Sequence, residues 1–344
     1  MNSQERIWYL DLLRVISMFF VIVIHATAYI GGGYENRAFA SFFSGISQFC
    51  VPIFVMVSGA VFLNPEHELK MKKYIIRIIV AYVVWSFLYA VYHSNILFEH
   101  TFNNLYVFVV HWGKGNFHLW YLWMLMGLYL LVPVLRQVAK DKKASIRLII
   151  ICILFGSVPQ FIDSLILIKP VSVVFETNLS GIVNNYLLLM PSMYVGYFLL
   201  GNYLNKSENI NIKNKVVFGI ALLMYIIAVV GLGVYASIKQ GKSVIYDEYT
   251  TPLQIIMSVG IFLFIKSFKF EKTNPIIRDL SFCSFGIYLI HPFVQSGLNK
   301  VGLLHIEKMN FALNVLTVSI LTFFISFIIV YLLKKIPIVN KYLV

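Results

Sequence analysis

Hydrophobic residues run along the chain in long stretches, and polar residues collect in the short segments between them. A stretch of roughly 17–25 apolar residues is long enough to cross a bilayer as an α-helix. Ten stretches predict a transmembrane helix each, the eighth being the shortest: 8–29, 41–63, 74–92, 119–135, 146–167, 186–204, 216–236, 252–267, 280–298 and 312–333. The further apolar piece at 106–112 is too short to span, so we predict that it is interfacial or re-entrant.

The overall composition agrees with this pattern. Hydrophobic residues make up 59% of the chain and charged residues only 12%, whereas soluble domains carry about 25% charged residues. No linker or low-complexity tract divides residues 1–344. We therefore predict an all-α, polytopic integral membrane bundle of about ten transmembrane helices, forming a single membrane domain.

Basic residues are distributed unevenly between the two sides of the predicted bundle. Of the 28 Lys and Arg residues, 20 fall on the side that holds both termini, seven fall on the other side, and Arg14 lies inside the first span. Because cytoplasmic loops carry the excess of Lys and Arg, we predict a cell-membrane protein with both termini cytoplasmic. The same bias accounts for the net charge of +13 without a nucleic-acid partner, and no nucleic-acid recognition motif is present.

Three ionisable residues lie within the apolar first span. Since a helix turns 100° per residue, Arg14 and His25 point within about 20° of one another, and Asp11 points within about 40° of His25. A charged side chain near a helix centre costs about 2.5–3.5 kcal/mol on insertion scales, so this stripe should face the protein interior or a wet cavity. A structural Asp11–Arg14 pair near the interface and an outer, hydrogen-bonded His25 remain as alternatives.

Other polar and aromatic residues are predicted at matching depths in the neighbouring spans. Ser58 lies at the level of Arg14, where its small size also suits close helix packing. An aromatic belt at the membrane surface would explain Trp120 and Tyr121 as well as contact with a sugar does. The candidates to line the same interior are Ser58, His118, Trp120, Tyr121, Tyr288 and His291.

Metal or disulfide chemistry is not indicated by the sequence. Cys50, Cys152 and Cys283 all fall within predicted spans, and an odd number of such cysteines forms no disulfide framework. The histidines between 93 and 118 have spacings that match no familiar metal site. We therefore expect no metal.

Four segments are similar in sequence, and in the same order, to segments of a known family: LDLLRVISMFFVIVIH (10–25), VPIFVMVSGAVFL (51–63), FHLWYLWMLMGLYLLVPVLR (117–136) and SFGIYLIHPF (284–293). They resemble the membrane acyltransferases called acyltransferase family 3. The spacing R-x10-H from Arg14 to His25 resembles the first span of that family. The ten predicted spans with both termini inside also fit the family.

The resemblance implies an enzyme that takes an acyl group, usually acetyl from cytoplasmic acetyl-CoA, to a sugar hydroxyl of a surface polysaccharide, peptidoglycan or lipid-linked glycan. Some relatives carry an additional extracytoplasmic SGNH-type domain. We expect none here, because the chain ends about ten residues after its last predicted span. The expected partners are therefore acyl-CoA, a sugar or lipid-linked glycan, and the lipid bilayer.

Each candidate residue can be given a role in this chemistry. Histidine has a reference pKa near 6.5, so His25 is the candidate general base for the acceptor hydroxyl. The other candidates divide between the two substrates: Arg14, Asp11 and Ser58 toward coenzyme A, and His118, Trp120, Tyr121, Tyr288 and His291 toward the glycan.

A polytopic transporter or exporter of a glycan or acyl intermediate is the alternative function. Such a protein would also contain intramembrane charges and proline breaks, but it would need no acyl-CoA, and we see no internal repeat. The abundance of Ile, Lys and Asn is typical of an AT-rich bacterial genome. That the enzyme acts on the cell envelope is what the family resemblance implies. The acceptor, the acyl group, the side of transfer and a homo-oligomeric state are left open.

Overall fold

The fold is an all-α helix bundle, seen in a computed structural model. The structure describes residues 7–31, 36–66, 68, 70–94, 102–158, 190–207, 215–240, 249, 251–268, 274–303 and 310–344. No β-strand occurs within these ranges. The prediction of an all-α membrane bundle is confirmed.

The helices of the first half are α1 (Trp8–Ile30), α2 (Arg37–Ser47), α3 (Cys50–Phe62), α4 (Met71–Ser94), α5 (Phe102–Lys114), α6 (Trp120–Val138) and α7 (Lys142–Gly156). A short 3₁₀ turn, Phe117–Leu119, leads into α6. The helices of the second half are α8 (Met190–Lys206), α9 (Lys215–Gln240), α10 (Pro252–Lys266), α11 (Pro275–Lys300), α12 (Phe311–Leu333) and α13 (Pro337–Tyr342).

Six helical stretches in the described ranges are long and apolar enough to cross a membrane: Trp8–Ile30, Arg37–Phe62, Met71–Ser94, Asn103–Val138, Lys215–Tyr235 and Phe311–Leu333. Pro252–Lys266 is a shorter apolar helix. The predicted span 146–167 coincides with α7 only up to Gly156, and residues 159–189 lie outside the described ranges. The total of ten spans therefore stays a prediction.

The second predicted span, 41–63, is divided into two helices. Helix α2 ends at Ser47 and α3 begins at Cys50. Pro52 lies in the first turn of α3, where its missing N–H costs nothing. In a continuous helix the Pro52 ring would clash with the carbonyl of Gln48 and remove a hydrogen bond, so the chain breaks before it.

The apolar piece predicted at 106–112 belongs to α5, which packs against α4. Thirteen residues of helix extend only about 20 Å, too short to cross the hydrocarbon core. Several of its apolar side chains are exposed, Tyr106 by 62% and Val109 by 56%. Its position at a membrane interface stays a prediction.

Helix α3 lies at the centre of the bundle, with ten of its 13 residues buried. It packs closely against α8 through two glycines. A Cβ atom added at Gly59 would lie 1.8 Å from the Phe198 carbonyl oxygen, and one added at Gly201 would lie 1.9 Å from the Met56 carbonyl oxygen. These helices therefore touch backbone to backbone, as small residues allow in membrane bundles.

Helix α1 packs against α3, α11 and α12, so the stripe of ionisable residues on α1 faces protein. Gln295 of α11 donates from Nε2 to the Ile22 carbonyl at 3.3 Å, just before His25 on α1. Together α1, α3, α4, α6 and α11 surround an internal cavity.

Candidate functional site

A cavity of about 380 Å³ lies between these five helices. Pockets that hold small molecules or cofactors are typically 300–1,000 Å³, mostly apolar and provided with a few polar groups. The wall here fits that description, with aromatic and aliphatic side chains interrupted by arginine, histidine and serine. The cavity also runs between two ends of different chemistry.

The first end, called the Arg14 end, is built on a buried acid. Asp11 is only 3% exposed, and its carboxylate accepts a hydrogen bond from the Ser281 hydroxyl at 2.6 Å. The Arg14 guanidinium lies 3.9 Å from the same carboxylate oxygen, Oδ1. Through Asp11, the Arg14 side chain is held close to α11, while 29% of it remains exposed.

Two further cations line the Arg14 end. Arg77 of α4 donates to a main-chain oxygen of Val344 at 2.6 Å, and its guanidinium lies 4.9 Å from the centre of the Phe285 ring. Lys334, just after α12, donates to the Phe282 carbonyl at 2.6 Å. Three positive side chains around one end of a cavity suit an anionic group.

The opposite end, called the His25 end, is a cluster of histidine and aromatic rings. The His25 ring stacks on the His291 ring at 5.1 Å between centroids and meets the edge of Phe117 at 5.0 Å. The His118 ring lies 5.4 Å from that of His291. His25 and His118 both line the cavity.

The remaining predicted residues lie along the wall between or beside these ends. Ser58 lines the cavity and donates its hydroxyl to the Phe54 carbonyl at 2.9 Å. The Tyr121 and Tyr288 rings are 5.6 Å apart, and Tyr288 donates to the His118 carbonyl. Trp120 also lines the cavity.

The structure thus brings seven of the nine predicted site residues into the wall of one cavity: Arg14, His25, Ser58, His118, Trp120, Tyr121 and Tyr288. Asp11 does not line the cavity but supports its wall through Arg14. His291 is fully buried behind His25 and does not form part of the wall either. Their roles in binding or catalysis stay predictions.

Sequence reasoning missed other wall residues, chiefly Arg77, Lys334 and Tyr249. Arg77 gave a usable signal, because it lies within the predicted span 74–92 and charged residues inside a span usually face the protein interior. Tyr249 gave none. Its place depends on a long-range contact, in which the Tyr197 hydroxyl donates to the Tyr249 carbonyl at 2.8 Å, and on stacking against Trp120 at 6.1 Å.

Within the residues that the structure describes, no group of three or more His, Cys, Asp or Glu residues is arranged to hold a metal ion. The three cysteines are buried and unpaired with one another.

Comparison with known families assigns the fold a class of activity. The model of the acyltransferase 3 family, described as an acyltransferase domain, matches residues 7–332. The chain belongs to this family. No curated protein and no solved structure matches it.

Membership of the acyltransferase 3 family confirms the resemblance in the four segments and makes the chain a membrane acyltransferase. The matched range contains the whole His25 end of the cavity and most of the Arg14 end. Lys334 and Asn340 line the same cavity but lie beyond the match.

Proposed function

We propose that this membrane acyltransferase transfers an acyl group, acetyl in the first instance, from acyl-CoA to a hydroxyl of a cell-surface or lipid-linked glycan. One observation carries the proposal. A single cavity joins a cationic end, formed by Arg14, Arg77 and Lys334, to an end that contains His25.

The Arg14 end fits the donor. Coenzyme A carries phosphate groups at one end of a flexible arm and its thioester at the other. Arg14 and His25 are 11 residues apart on α1, which is roughly 16 Å along the helix. Cationic residues at the Arg14 end would hold the anionic part of the donor, so that the thioester extends toward His25.

The His25 end fits the proton transfer that the reaction needs. His25 would accept the proton of the sugar hydroxyl as its oxygen attacks the thioester carbonyl carbon. The carbon–sulfur bond then breaks, the new ester leaves with the glycan, and the coenzyme A thiolate takes up the proton from His25. Histidine suits both steps, because it gains and loses a proton near neutral pH.

Aromatic residues at the cavity support a sugar as the acceptor. Trp120 is 40% exposed and stacks on Tyr249 with 23° between the ring planes. Both line the cavity that contains His25. Tryptophan and tyrosine combine an apolar face with a polar tip, which matches the mixed surface of a pyranose ring.

The decisive experiment is acyl transfer in proteoliposomes. Purified protein would receive labelled acetyl-CoA and a crude lipid-linked glycan fraction, beside a His25→Ala variant and a His111→Ala control. His111 lies on the exposed helix α5 and does not line the cavity. Loss of a general base should lower the rate by roughly 10²–10⁴-fold, whereas the control should keep it.

The outcomes separate the alternatives. Equal rates for His25→Ala and wild type would remove His25 as the base, although the transfer itself would stand. Glycan translocation by wild type without use of acetyl-CoA would instead favour the transporter or exporter. Transfer from a longer acyl-CoA but not from acetyl-CoA would show that the acyl donor differs from the one proposed, while the type of reaction stays the same.

The role of Arg14 is tested by a conservative substitution that keeps its charge. Arg14→Lys keeps a positive charge but loses the planar, two-pronged geometry that pairs with carboxylate and phosphate oxygens. We expect KM for acetyl-CoA to rise about 10–150-fold, since a lost charged hydrogen bond costs roughly 1.5–3 kcal/mol. Arg278→Lys is the matched control, because Arg278 pairs with Asp279 outside the cavity. Unchanged KM in Arg14→Lys would rule out this role.

A further inference from the structure

Helix α11 contains a proline that leaves a gap in its hydrogen bonding. Pro292 has no backbone N–H, so it cannot donate to the carbonyl of Tyr288, four residues earlier. The preceding side chain fills this gap. His291 Nδ1 lies 2.8 Å from the Tyr288 carbonyl oxygen and 3.2 Å from the Ile287 carbonyl oxygen.

These contacts determine the protonation of the His291 ring. A carbonyl oxygen only accepts hydrogen bonds, so Nδ1 must carry a proton. Nε2 is buried and has no hydrogen-bond partner among the residues that the structure describes. A second proton there would place an unpartnered N–H and a positive charge in the interior, which is costly. His291 is therefore a neutral imidazole with its proton on Nδ1.

Neighbouring side chains hold the main chain around Pro292. The Tyr89 hydroxyl donates to the next main-chain carbonyl, that of Leu289, at 2.9 Å. The Tyr89 ring stacks on Phe293 at 4.0 Å with 11° between the planes. His291 itself is completely buried. The helix is thus held by side chain contacts on both sides of Pro292.

The fixed ring lies directly against the proposed base. The His25 and His291 rings are stacked at 5.1 Å with 26° between their planes. A flat, neutral ring held in place restricts rotation of its stacking partner, and its π-face attracts a cation. His25 becomes such a cation when it takes the acceptor proton.

We propose that His291 is a positioning residue that holds the His25 ring in its proton-accepting orientation and supports the imidazolium that forms. The proposal rests on the proposed function of His25. His291 does not touch the substrates in this arrangement, because it lies behind the cavity wall.

Two substitutions separate positioning from simple repair of the helix. His291→Asn keeps an N–H that can donate to the Tyr288 carbonyl but loses the ring. His291→Phe keeps a flat ring but loses the donor. If His291 positions His25, the Asn variant should lose at least roughly tenfold in kcat, since small misplacements of catalytic groups are costly. KM for acetyl-CoA should change little, and the Phe variant should stay near wild type.

A third substitution should leave folding intact. Pro292→Ala supplies the missing backbone N–H to the Tyr288 carbonyl, so the helix needs no help from His291. We expect a melting temperature equal to or above that of wild type and a kcat near that of wild type, because the buried ring of His291 still lies beside His25. A large loss of kcat in this variant would show that the bond to the Tyr288 carbonyl, and not the ring, carries the effect.

Chemical modification of His25 gives a readout that does not depend on turnover. Diethyl pyrocarbonate acylates histidine nitrogens, and mass spectrometry locates the product. The rate at His25 should rise severalfold in His291→Asn, as the ring becomes mobile, and stay unchanged in His291→Phe.

The proposal is overturned if His291→Asn keeps the wild-type kcat and the wild-type rate of His25 modification. It is also overturned if His291→Phe lowers kcat and raises the rate of His25 modification more than His291→Asn does. Absence of acyl transfer by wild type would count against the proposed function alone. In that case the modification rates still decide whether His291 holds His25.

Discussion

At the scale of single residues, burial decides what a charged pair contributes. Asp11 and Arg14 form a pair of which the acid is buried, whereas Arg278 and Asp279 form one at 3.0 Å with both side chains more than 40% exposed. Exposed pairs contribute about 0–1 kcal/mol. Removal of one partner from a buried pair costs more, because the remaining charge stays desolvated.

These two pairs give a direct comparison. Asp11→Asn removes the negative charge that faces Arg14 and weakens the bond from Ser281, so we expect unfolding to become easier by about 1–3 kcal/mol. Asp279→Asn should change the free energy of unfolding by less than about 1 kcal/mol. Denaturant unfolding in detergent micelles measures both. A smaller loss in Asp11→Asn than in Asp279→Asn would contradict the view of Asp11 as the anchor of Arg14.

At the scale of helices, α3 and α8 approach so closely that only glycine fits at two positions of their contact. Gly59 and Gly201 each face a backbone carbonyl of the opposite helix. The end of α8 is fixed separately by Lys266 of α10, whose ammonium donates to the carbonyls of Leu204 at 2.5 Å and Asn205 at 3.0 Å. Three helices are therefore joined through main-chain groups rather than through apolar packing alone.

A single methyl group tests the contact between α3 and α8. Gly59→Ala would place Cβ 1.8 Å from the Phe198 carbonyl oxygen and force the helices apart. We expect a loss of at least about 1–3 kcal/mol, as for other overpacked cores. Gly127→Ala on α6 is the control, because nothing lies within 4 Å of its added Cβ. In the control, alanine should be neutral or slightly stabilising.

The Lys266 contact is tested in the same way. Lys266→Met keeps the apolar stem and removes the ammonium from three carbonyls, the third being that of Ser207 at 3.0 Å. We expect the melting temperature to fall, in line with about 1–3 kcal/mol for buried acceptors left unpaired. Lys140→Met removes an exposed ammonium that donates to the Gln137 side chain at 2.9 Å, and this variant should melt like wild type. Equal melting temperatures for the two variants would show that the hydrogen bonds from Lys266 do not stabilise the end of α8.

At the scale of the whole molecule, helical periodicity predicted the stripe on α1, since 100° per residue is enough to place Arg14 and His25 on one face. The lengths of the apolar stretches predicted the positions of most helices. Apolar length does not reveal the break between α2 and α3, because both helices are apolar, and Pro52 is the sequence signal for it. Arg77 was recognisable as a charge inside the predicted span 74–92. Lys334 resembled an ordinary positive-inside residue, and Tyr249 is positioned by a partner 52 residues away. Such contacts leave no local pattern.

The predicted orientation is also a property of the whole molecule. A membrane-impermeant maleimide should label Lys140→Cys only from the cytoplasmic side and Asn116→Cys only from the outer side, as the distribution of basic residues requires. Cys50, Cys152 and Cys283 are buried and should react slowly, so the native chain is the background control. Labelling of both variants from one side would overturn the orientation.

The glycine contact between α3 and α8 has a consequence for synthesis. Gly59 and Gly201 are 142 residues apart in the chain, and ribosomes add about 5–20 residues per second, so α3 waits roughly 7–28 s for its partner. During that interval the groove at Gly59 faces lipid or an insertion factor. The contact at the bundle centre thus forms only after more than half of the 344 residues have been made. Substitutions at either glycine should therefore act first on the yield of inserted protein.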